Sequence, residues 1–391
     1  MRTYQIVIFI AIVLTIYSSV NIYILFKGYS VPLFHSNKFW YLLIFLLLAF
    51  SFIAGKFLEA WHSSVISDAL NIVGGFWLAF MLYGFLFLLL SDIFSLILRI
   101  TGILKGERLM LFRNWSFILT LAVSFVLIAG GFINSLIPRV KQYDITINKP
   151  AGIKTLRIAA VSDIHLGSVI RKRSMNILSG ELKRLKPELV LLLGDIVDGE
   201  MGPVLRSDLL KYLKIPECSD GLFAITGNHE FIGGAKRTLP YIESKGIRLL
   251  KDEVVTIDGG IQLIGRLDRD SRGFYGKPRM PLDELMKKID PSKPVIVLDH
   301  QPVGLEESEK NSADLQLSGH THEGQLWPLN YVVSWIYKLS YGYKRMGNTQ
   351  YIVSSGFGLW GPKVRSGSNS EILLINLNFR NDLAKKPSTS D

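Results

Sequence analysis

The chain has 391 residues, of which 49% are hydrophobic, and its net charge is +11. This length is sufficient for two domains, and the basic balance fits anionic lipid headgroups or phosphorylated substrates. The absence of an arginine-rich run or an aromatic–basic ladder excludes a nucleic-acid partner, and a single cysteine, Cys218, excludes an intrachain disulfide and a cysteine-rich metal site.

Four long apolar stretches occupy residues 1–140. Each approaches the ~20 residues that a helix needs to cross a bilayer. Tryptophan or tyrosine lies near several of their ends, as is common at membrane interfaces. The first stretch is too long for a cleaved signal peptide and has no small-x-small cleavage site after it. The stretches are 4–26, 39–58, 69–90, with 100 as an alternative end, and 115–137. The sequence therefore predicts an all-α transmembrane region of about four helices.

Basic residues flank these stretches unequally. The side that contains the loops after the first and third stretches carries six of them: Lys27, Lys38, Arg99, Lys105, Arg108 and Arg113. The opposite side carries four: Arg2, Lys56, Arg139 and Lys141. By the positive-inside rule, the side with six faces the cytoplasm. We therefore expect an integral protein of the plasma membrane, with both termini and the C-terminal domain extracytoplasmic.

Short apolar runs alternate with helical patterns in the second half of the chain. Residues 141–154 are polar, and we expect them to form a linker. Strands are predicted at 155–162, 188–193, 221–226, 247–250, 294–298 and 314–317, helices at 172–186, 204–213 and 235–245, and a hairpin at 254–265. This alternation predicts an α/β domain with mixed sheets over residues 155–378. Residues 379–391 are predicted to be a disordered polar tail.

Five of the seven histidines lie after residue 150, each beside another potential metal ligand. They occur in Asp163-Ile164-His165, Gly227-Asn228-His229-Glu230, Asp299-His300 and Gly319-His320-Thr321-His322, and Gly194-Asp195-Ile196-Val197-Asp198 lies between the first two motifs. Taken singly, Asp-x-His is typical of a strand end or turn. The ordered set follows five predicted strands, and ligands of open α/β sheets bind at the carboxyl ends of strands. We therefore expect these side chains at one sheet edge.

Imidazoles and carboxylates together indicate a hydrolytic metal centre. Two divalent ions can clamp a phosphate and generate a hydroxide nucleophile near neutral pH. One carboxylate must bridge them, and Asp195 is the best candidate. Asp163, His165 and one histidine of the Gly-His-Thr-His pair can complete the ligands of one ion. Asn228, His300 and the other histidine can complete those of the second. Mixed oxygen and nitrogen ligands suit manganese, our first expectation, or iron, zinc or cobalt.

The ordered motifs resemble those of the calcineurin-like metallophosphoesterase family over about residues 157–377. The resemblance implies a β-sandwich flanked by helices, with two metal ions at one edge. The implied ligands of one ion are Asp163, His165, Asp195 and His322, and those of the other are Asp195, Asn228, His300 and His320. The transmembrane helices ahead of this domain resemble a membrane-anchored branch of the family.

The resemblance also implies roles for residues that do not bind metal. His229 would contact the phosphoryl oxygen, where it would stabilise the transition state or protonate the leaving oxygen. Asp198 and Glu230 would orient the ligands or His229. Glu230 stands where the family usually has aspartate, which keeps the carboxylate and lengthens its reach.

These features predict a membrane-anchored phosphoesterase that hydrolyses a phosphomonoester or phosphodiester by attack of metal-bound hydroxide. Its substrate would be a phosphorylated small molecule or lipid. One alternative is a pyrophosphatase that acts on a lipid- or nucleotide-linked intermediate. The other is a non-enzymatic sensor or transport protein of the membrane that uses the fold for binding. The sequence leaves the oligomeric state open.

Two further segments of the α/β domain suggest interactions. Residues 327–343 are rich in aromatic side chains and contain Lys338, and Lys344 and Arg345 follow directly. They predict an amphipathic helix that rests on the membrane or lines a lipid-accepting groove, with an aromatic packing loop as the alternative. Arg365 follows a glycine-rich loop and is a candidate contact for a substrate phosphate. The alternative for Arg365 is a solvated surface side chain.

Overall fold

The computed structural model describes residues 3–380. The chain divides into two compact units. Residues 3–133 together with 361–366 form the first, here called the helical unit. Residues 134–360 together with 367–380 form the second, here called the α/β unit. The division in space therefore differs from a single cut along the sequence, because a short segment near the C-terminus belongs to the helical unit.

Four long helices make up most of the helical unit. They are α1 (Thr3–Tyr29), α2 (Lys38–Trp61), α3 (Val65–Ile100) and α4 (Gly106–Ser135), with a 3-10 helix at Pro32–Asn37. All four are long and apolar enough to cross a membrane, which confirms the predicted number. At 1.5 Å per residue, the 36 residues of α3 extend about 54 Å, more than the ~30 Å thickness of a hydrocarbon core. Large apolar side chains such as Phe57 and Phe125 are exposed on this unit, as lipid contact requires.

Several polar side chains inside the helical unit are paired with one another. Trp77 donates from its indole nitrogen to the side-chain oxygen of Asn21 over 2.9 Å. Lys27 forms an ion pair with Asp92, which also accepts a hydrogen bond of 2.7 Å from Tyr23. Such pairing is expected because an unpaired polar group in hydrocarbon is costly.

Twelve strands form two six-stranded sheets in the α/β unit. They are β1 (Arg139–Ile147), β2 (Thr155–Val161), β3 (Leu189–Leu193), β4 (Gly221–Ile225), β5 (Arg248–Leu249), β6 (Glu253–Thr256), β7 (Gln262–Gly265), β8 (Val295–Leu298), β9 (Leu315–Ser318), β10 (Gly342–Met346), β11 (Thr349–Val353) and β12 (Glu371–Phe379). The first sheet has the order β1-β12-β2-β3-β4-β5, and the second has the order β10-β11-β9-β8-β7-β6. Strands β2, β3 and β4 are mutually parallel, as are β7, β8 and β9.

The helices of this unit are mostly short. They are α5 (Lys172–Leu185), α6 (Met201–Ser207), α7 (Asn228–Ile232), α8 (Ala235–Glu243), α9 (Ser271–Phe274), α10 (Leu282–Met286), α11 (Glu306–Lys310) and α12 (Leu329–Ile336), with 3-10 turns at Leu209–Tyr212, Asp258–Gly260 and His322–Gly324.

The two sheets pack face to face around an aliphatic core. Ile158 and Leu191 of the first sheet share one buried cluster with Leu263, Ile296 and Leu317 of the second. A second cluster joins the outer face of the first sheet to α5 and α8, and a smaller one joins the second sheet to α10. The predicted β-sandwich flanked by helices, preceded by an all-α region, is therefore confirmed.

The predicted linker at 141–154 is wrong for its first half. These residues belong to β1, which pairs in parallel with β12 from Arg139↔Glu371 to Ile147↔Phe379. Ile145 and Ile147 are buried, whereas Asp144 before them and Thr146 between them are exposed. The period of two is that of a half-buried strand, and its polar outer face gave the segment a loop-like composition. The predicted tail at 379–391 begins inside β12, and residues 381–391 lie outside the described part of the chain.

Candidate metal centre

The predicted ligand residues follow the carboxyl ends of five strands. Strand β2 precedes Asp163 and His165, β3 precedes Asp195, β4 precedes Asn228, β8 precedes His300, and β9 precedes His320 and His322. Three of these strands belong to the first sheet and two to the second. The side chains converge at one edge of the sandwich, where three groups have all their candidate ligand atoms within 4.8 Å of one another.

The backbone at these positions adopts a conformation that side chains rarely accept. The φ angle is positive at five of the residues: Asp163 (54°), His165 (51°), Asp195 (51°), His320 (72°) and His322 (49°). Outside glycine, such conformations cost on the order of 1–3 kcal/mol each and persist only where the surroundings impose them. Here the turns are held by backbone hydrogen bonds, such as that of 2.9 Å from His165 N–H to the Asp195 carbonyl.

Two glycines allow the turns to approach each other. A Cβ atom on Gly319 would lie 1.7 Å from the Ser162 hydroxyl oxygen and 2.5 Å from Asp163 Oδ2. A Cβ atom on Gly227 would lie 2.1 Å from Asp195 Oδ1. Only a residue without a side chain fits at either position, so the two turns can approach this closely only with glycine there.

The first group of candidate ligands contains Asp163, His165 and His322. The Nε2 atoms of the two histidines are 3.1 Å apart, and His322 Nε2 lies 3.4 Å from Asp163 Oδ1. The other ring nitrogen of His165, Nδ1, lies 3.1 Å from Asp198 Oδ1. This contact orients the ring so that Nε2 faces the group.

The second group contains Asp195, His300 and His320. His300 Nδ1 lies 2.7 Å from the Leu193 carbonyl. A carbonyl only accepts, so Nδ1 carries the proton, and Nε2 faces Asp195 Oδ2 at 3.1 Å. Asn228 contributes an amide oxygen 3.0 Å from His320 Nδ1.

This donor set fits divalent metal ions. Asp163, Asp195 and His300 are buried, with exposures of 0%, 2% and 0%. His300 Nε2 has no hydrogen-bond partner among the described residues under strict geometry. When the His300 ring is neutral, Nε2 presents a lone pair to the carboxylate of Asp195. A cation between these two electron-pair donors would stabilise this arrangement. Imidazole nitrogens with carboxylate and amide oxygens are ligands typical of first-row transition metals.

The pKa shifts of the clustered side chains also indicate that the centre favours positive charge. Burial alone lowers the pKa of His300, but the carboxylate of Asp195 outweighs it and raises the pKa well above its ordinary value. Burial alone raises the pKa of Asp195, but His300 holds it well below the usual range. Burial and the charge on His300 lower the pKa of His320 to about 4. The cluster therefore binds positive charge, as a proton or as a metal ion.

Glu230 connects the backbones of two strand ends. Its Oε2 accepts hydrogen bonds from the N–H groups of Gly227 (2.7 Å) and Asp195 (3.0 Å). Its Oε1 accepts one of 3.0 Å from Val197 N–H. Burial and the nearby Asp195 raise the pKa of Glu230 to about 7. These contacts fit the predicted orienting role, because the side chain fixes the turn that carries Asp195.

His229 borders both groups. Its backbone N–H donates to Asp195 Oδ1 over 2.9 Å. Its ring lies edge to face with that of His165, with 4.6 Å between the ring centres. Its Nδ1 lies 3.4 Å from Asp198 Oδ1. His229 also forms a third candidate ligand group with His165 and Asp195. The position of His229 is therefore compatible with binding a metal ion or with contacting the substrate. The predicted contact between His229 and the substrate stays a prediction.

One buried carboxylate near the centre was not predicted. Asp268 follows β7 and accepts two hydrogen bonds of 3.0 Å from the Gln301 amide. Its N–H donates to the Thr226 hydroxyl over 3.0 Å. Burial raises the pKa of Asp268 to about 6, against the opposing charge of His300. The apolar run of β7 was the available signal, since Asp268 follows it as the ligands follow their strands.

Asp299 has a different set of partners from its neighbour His300. Its carboxylate accepts hydrogen bonds of 3.0 Å from both Arg266 and Arg279. Arg266 also pairs with Glu307 at 2.8 Å. Asp299 is therefore part of a charge network beside the centre, and this network anchors the turn that positions His300.

Arg365 lies within the segment Gly361–Ser366 of the helical unit. Its exposure is 0%, and its N–H donates to the Gly131 carbonyl over 2.9 Å. The alternative of a solvated surface arginine is therefore wrong, because α4 supplies part of its surroundings. The predicted contact between Arg365 and a substrate phosphate stays a prediction.

The comparisons with known proteins identify the family. Residues 156–324 match the family model of the calcineurin-like phosphoesterases. An uncharacterized metallophosphoesterase of Campylobacter jejuni is 30% identical over 382 residues, which cover 95% of this chain and 98% of that protein. The chain belongs to the calcineurin-like metallophosphoesterase family. Two uncharacterized metallophosphoesterases of Helicobacter pylori are 35% and 34% identical, and each match covers 61% of this chain but only 64% of theirs.

Other similar proteins share part of the chain. A transmembrane protein with a metallophosphoesterase domain from Bos taurus is 28% identical over 66% of this metallophosphoesterase and 62% of its own length. A solved dimetal phosphatase from Danio rerio has a TM-score of 0.33 at 13% identity, covering 51% of this chain and 87% of that one. A 5'-nucleotidase precursor from Thermus thermophilus has a TM-score of 0.31 at 16% identity, covering 57% and 54%. With its four apolar helices, this family member is a membrane protein.

Proposed function

We propose that this metallophosphoesterase is a membrane-anchored enzyme that hydrolyses phosphomonoester or phosphodiester bonds. One observation carries the proposal, namely that two carboxylates lie between two sets of histidines. His165 Nε2 lies 3.9 Å from Asp163 Oδ1 and 3.7 Å from Asp195 Oδ2. His300 Nε2 approaches the same two oxygens at 4.0 and 3.1 Å. A shared carboxylate between two ligand sets suits a pair of ions.

The residues suited to hold two ions are the predicted ones. Asp163, His165, Asp195 and His322 would hold one ion, and Asp195, Asn228, His300 and His320 would hold the other. When bound, such divalent ions polarise a phosphoryl oxygen and lower the pKa of water, which makes hydroxide available near neutral pH. Manganese is our first candidate, with iron, zinc or cobalt as alternatives.

The remaining polar residues would position the reacting groups. The contact of His229 Nδ1 with Asp198 directs the opposite edge of the ring away from that carboxylate, where it can meet a phosphoryl oxygen or the leaving oxygen. Glu230 keeps the Asp195 turn in place through its three backbone hydrogen bonds. Fixed donors and ligands of this kind stabilise developing charge without reorganisation during the reaction.

The test uses the purified full-length protein with added manganese on nitrophenyl phosphate and bis-nitrophenyl phosphate. We expect metal-dependent hydrolysis of at least one ester, and a loss on the order of 1,000-fold in Asp195→Asn, because a neutral amide cannot bridge two cations. Glu284→Gln, which makes the same chemical change on exposed α10, is the matched control. The proposal fails if wild type shows no metal-dependent activity or if Asp195→Asn equals wild type.

The non-enzymatic alternative is less well supported. A sensor or transport protein that only binds a ligand would not need a complete set of metal ligands. All seven predicted ligand residues lie together at one edge of the α/β unit. A pyrophosphatase remains compatible with the centre, so a nucleotide-linked and a lipid-linked pyrophosphate belong in the same substrate screen.

We also propose that the α/β unit faces the outside of the plasma membrane. Support comes from the six basic residues on the opposite side of the predicted helices against four on the side of this unit. Protease added to intact cells should then cleave the α/β unit. Cleavage only after the cells are opened would reverse the orientation.

A further inference from the structure

The helix α12 exposes an apolar face beside the candidate metal centre. None of its side chains is buried. Trp335 is 92% exposed, Ile336 68%, Tyr331 62% and Val332 49%. At 100° per residue, these four side chains lie on one side of the helix, because 331 and 335 are neighbours and so are 332 and 336. Aromatic and aliphatic side chains clustered in this way are unfavourable in water and typical of an interaction surface.

The helix packs against the turn that carries two candidate ligands. A Cβ atom on Gly324 would lie 2.4 Å from the backbone nitrogen of Asn330, so the turn and the start of α12 touch directly. Tyr337, which ends α12, has its ring 6.2 Å from the ring of His320. The Thr321 hydroxyl donates to the Ser340 carbonyl over 2.6 Å. Whatever α12 contacts is therefore brought close to His320 and its neighbours.

A lipid surface is the partner that best fits the apolar face of α12, because the same chain has helices that can cross a membrane. Four helices of the same chain can cross a membrane. Residues 136–138 alone separate the end of α4 from the start of β1, which limits the tether to roughly 14 Å by backbone dimensions. Tryptophan and tyrosine on a helix with aliphatic neighbours suit the boundary between headgroups and acyl chains.

The charges beside the helix fit anionic headgroups. Lys338, Lys344 and Arg345 follow α12 and are exposed. Lys338 forms an ion pair with Glu306 at 2.5 Å. Lys344 and Arg345 donate hydrogen bonds to backbone carbonyls, and these contacts do not neutralise the charges of the two side chains. Basic residues next to an apolar helical face increase its affinity for anionic membranes.

Building on the proposed function, we propose that α12 inserts its Tyr331 and Trp335 face into the bilayer interface and that the substrate is a phosphoester in the headgroup of a membrane lipid. A substrate held in this way would reach the centre while its acyl chains stay in the bilayer. The helix would then select for membrane-borne esters, whereas the centre itself would accept soluble esters as well.

Insertion is measured on the full-length protein in vesicles of phosphatidylcholine and phosphatidylglycerol. Trp335→Cys is made together with Cys218→Ser, which removes the single native cysteine, and is labelled with bimane. The matched control is Phe274→Cys, since Phe274 is 53% exposed at the end of α9. Lipids that carry a nitroxide should quench the label at 335 at least twofold more than the label at 274. Equal weak quenching, or disulfide cross-linking of two copies through 335 without quenching, would overturn the proposal.

Substrate selection is measured with Trp335→Glu. We expect at least a tenfold loss of hydrolysis of phosphatidic acid or phosphatidylglycerol in vesicles, with the rate on soluble nitrophenyl esters within twofold of wild type. Phe274→Glu should change neither rate. Equal rates in wild type and Trp335→Glu on vesicles, or equal losses on both kinds of substrate, would contradict it. A wild type inactive on every ester would instead refute the proposed function, and the quenching experiment would still decide whether α12 inserts.

Discussion

The helical unit and the α/β unit use polar side chains in opposite ways. Inside the helical unit, Asn21 pairs with Trp77, and Lys27 pairs with Asp92. These groups satisfy one another and hold helices together. In the α/β unit, buried imidazoles and carboxylates converge around positions that favour positive charge, as between His300 and Asp195. Polar groups of the helical unit therefore stabilise its fold, whereas those of the α/β unit are arranged to bind a cation.

Among changes outside the candidate ligands, the largest expected effect comes from the tight approach of turns in the α/β unit. Gly319→Ala would place a Cβ atom against Ser162 and Asp163, so we expect at least a hundredfold loss of metal-dependent hydrolysis. The free energy of unfolding should fall by about 1–3 kcal/mol, the usual range for overpacking. Hydrolysis assays and chemical denaturation measure the two effects.

The matched control for this prediction is Gly180→Ala in α5. Apart from the backbone of α5 and the adjacent residues, no atom lies within 4 Å of the added Cβ there. This change should leave hydrolysis unaltered and stabilise the helix by up to about 1 kcal/mol. If the two variants behaved alike, the centre would not depend on close backbone approach.

An intermediate effect is expected in the helical unit. Asn21→Leu removes the acceptor of the Trp77 indole N–H inside the helices. We expect the unfolding free energy in detergent to fall by about 1 kcal/mol, as for other polar contacts between membrane helices. Hydrolysis of soluble esters should stay within twofold of wild type, because this pair only holds helices together. Leu119→Ala, at an exposed position of α4, is the control. A large loss of hydrolysis in Asn21→Leu would contradict the division between the two units.

The last prediction concerns alkaline stability of the α/β unit. Tyr351 is 1% exposed, and its hydroxyl donates to the Leu305 carbonyl over 2.8 Å. Burial raises its pKa from 10.0 to about 12. The folded chain therefore holds this proton more tightly than the unfolded chain, so its contribution to stability is complete below pH 10 and is lost as pH rises towards 12.

Tyr351→Phe tests this contribution. The variant should lose about 1 kcal/mol at neutral pH with the hydrogen bond, and its stability should fall less steeply than that of wild type between pH 10 and 12. Denaturation at a series of pH values measures both slopes. Tyr331→Phe, which removes an exposed hydroxyl, is the control. Identical slopes for Tyr351→Phe and wild type would show that Tyr351 does not contribute.

The sequence predicted the centre better than the periphery of the fold. Strands β2, β3, β4, β8 and β9 were predictable because each is a largely apolar run that is followed by a polar motif. Strand β1 was missed because its outer face is polar, and its identity depends on pairing with β12, more than 200 residues away. The positive φ angle at Asp163 could not be predicted, because it is imposed by neighbouring turns and has no signal in residue type. The burial of Arg365 likewise depends on α4, which is distant in sequence.

Because residues 361–366 belong to the helical unit, the chain passes from the α/β unit into the helical unit and then back into the α/β unit. Val364 and Arg365 have 0% exposure, and a Cβ atom on Gly131 of α4 would lie 2.6 Å from Val364. A truncated chain that begins at Arg139 would keep every candidate ligand but lose the helix that covers this segment. Residues 361–366 would then lose the α4 contacts that bury them, so efforts to isolate a soluble enzyme should redesign that segment together with the point of truncation.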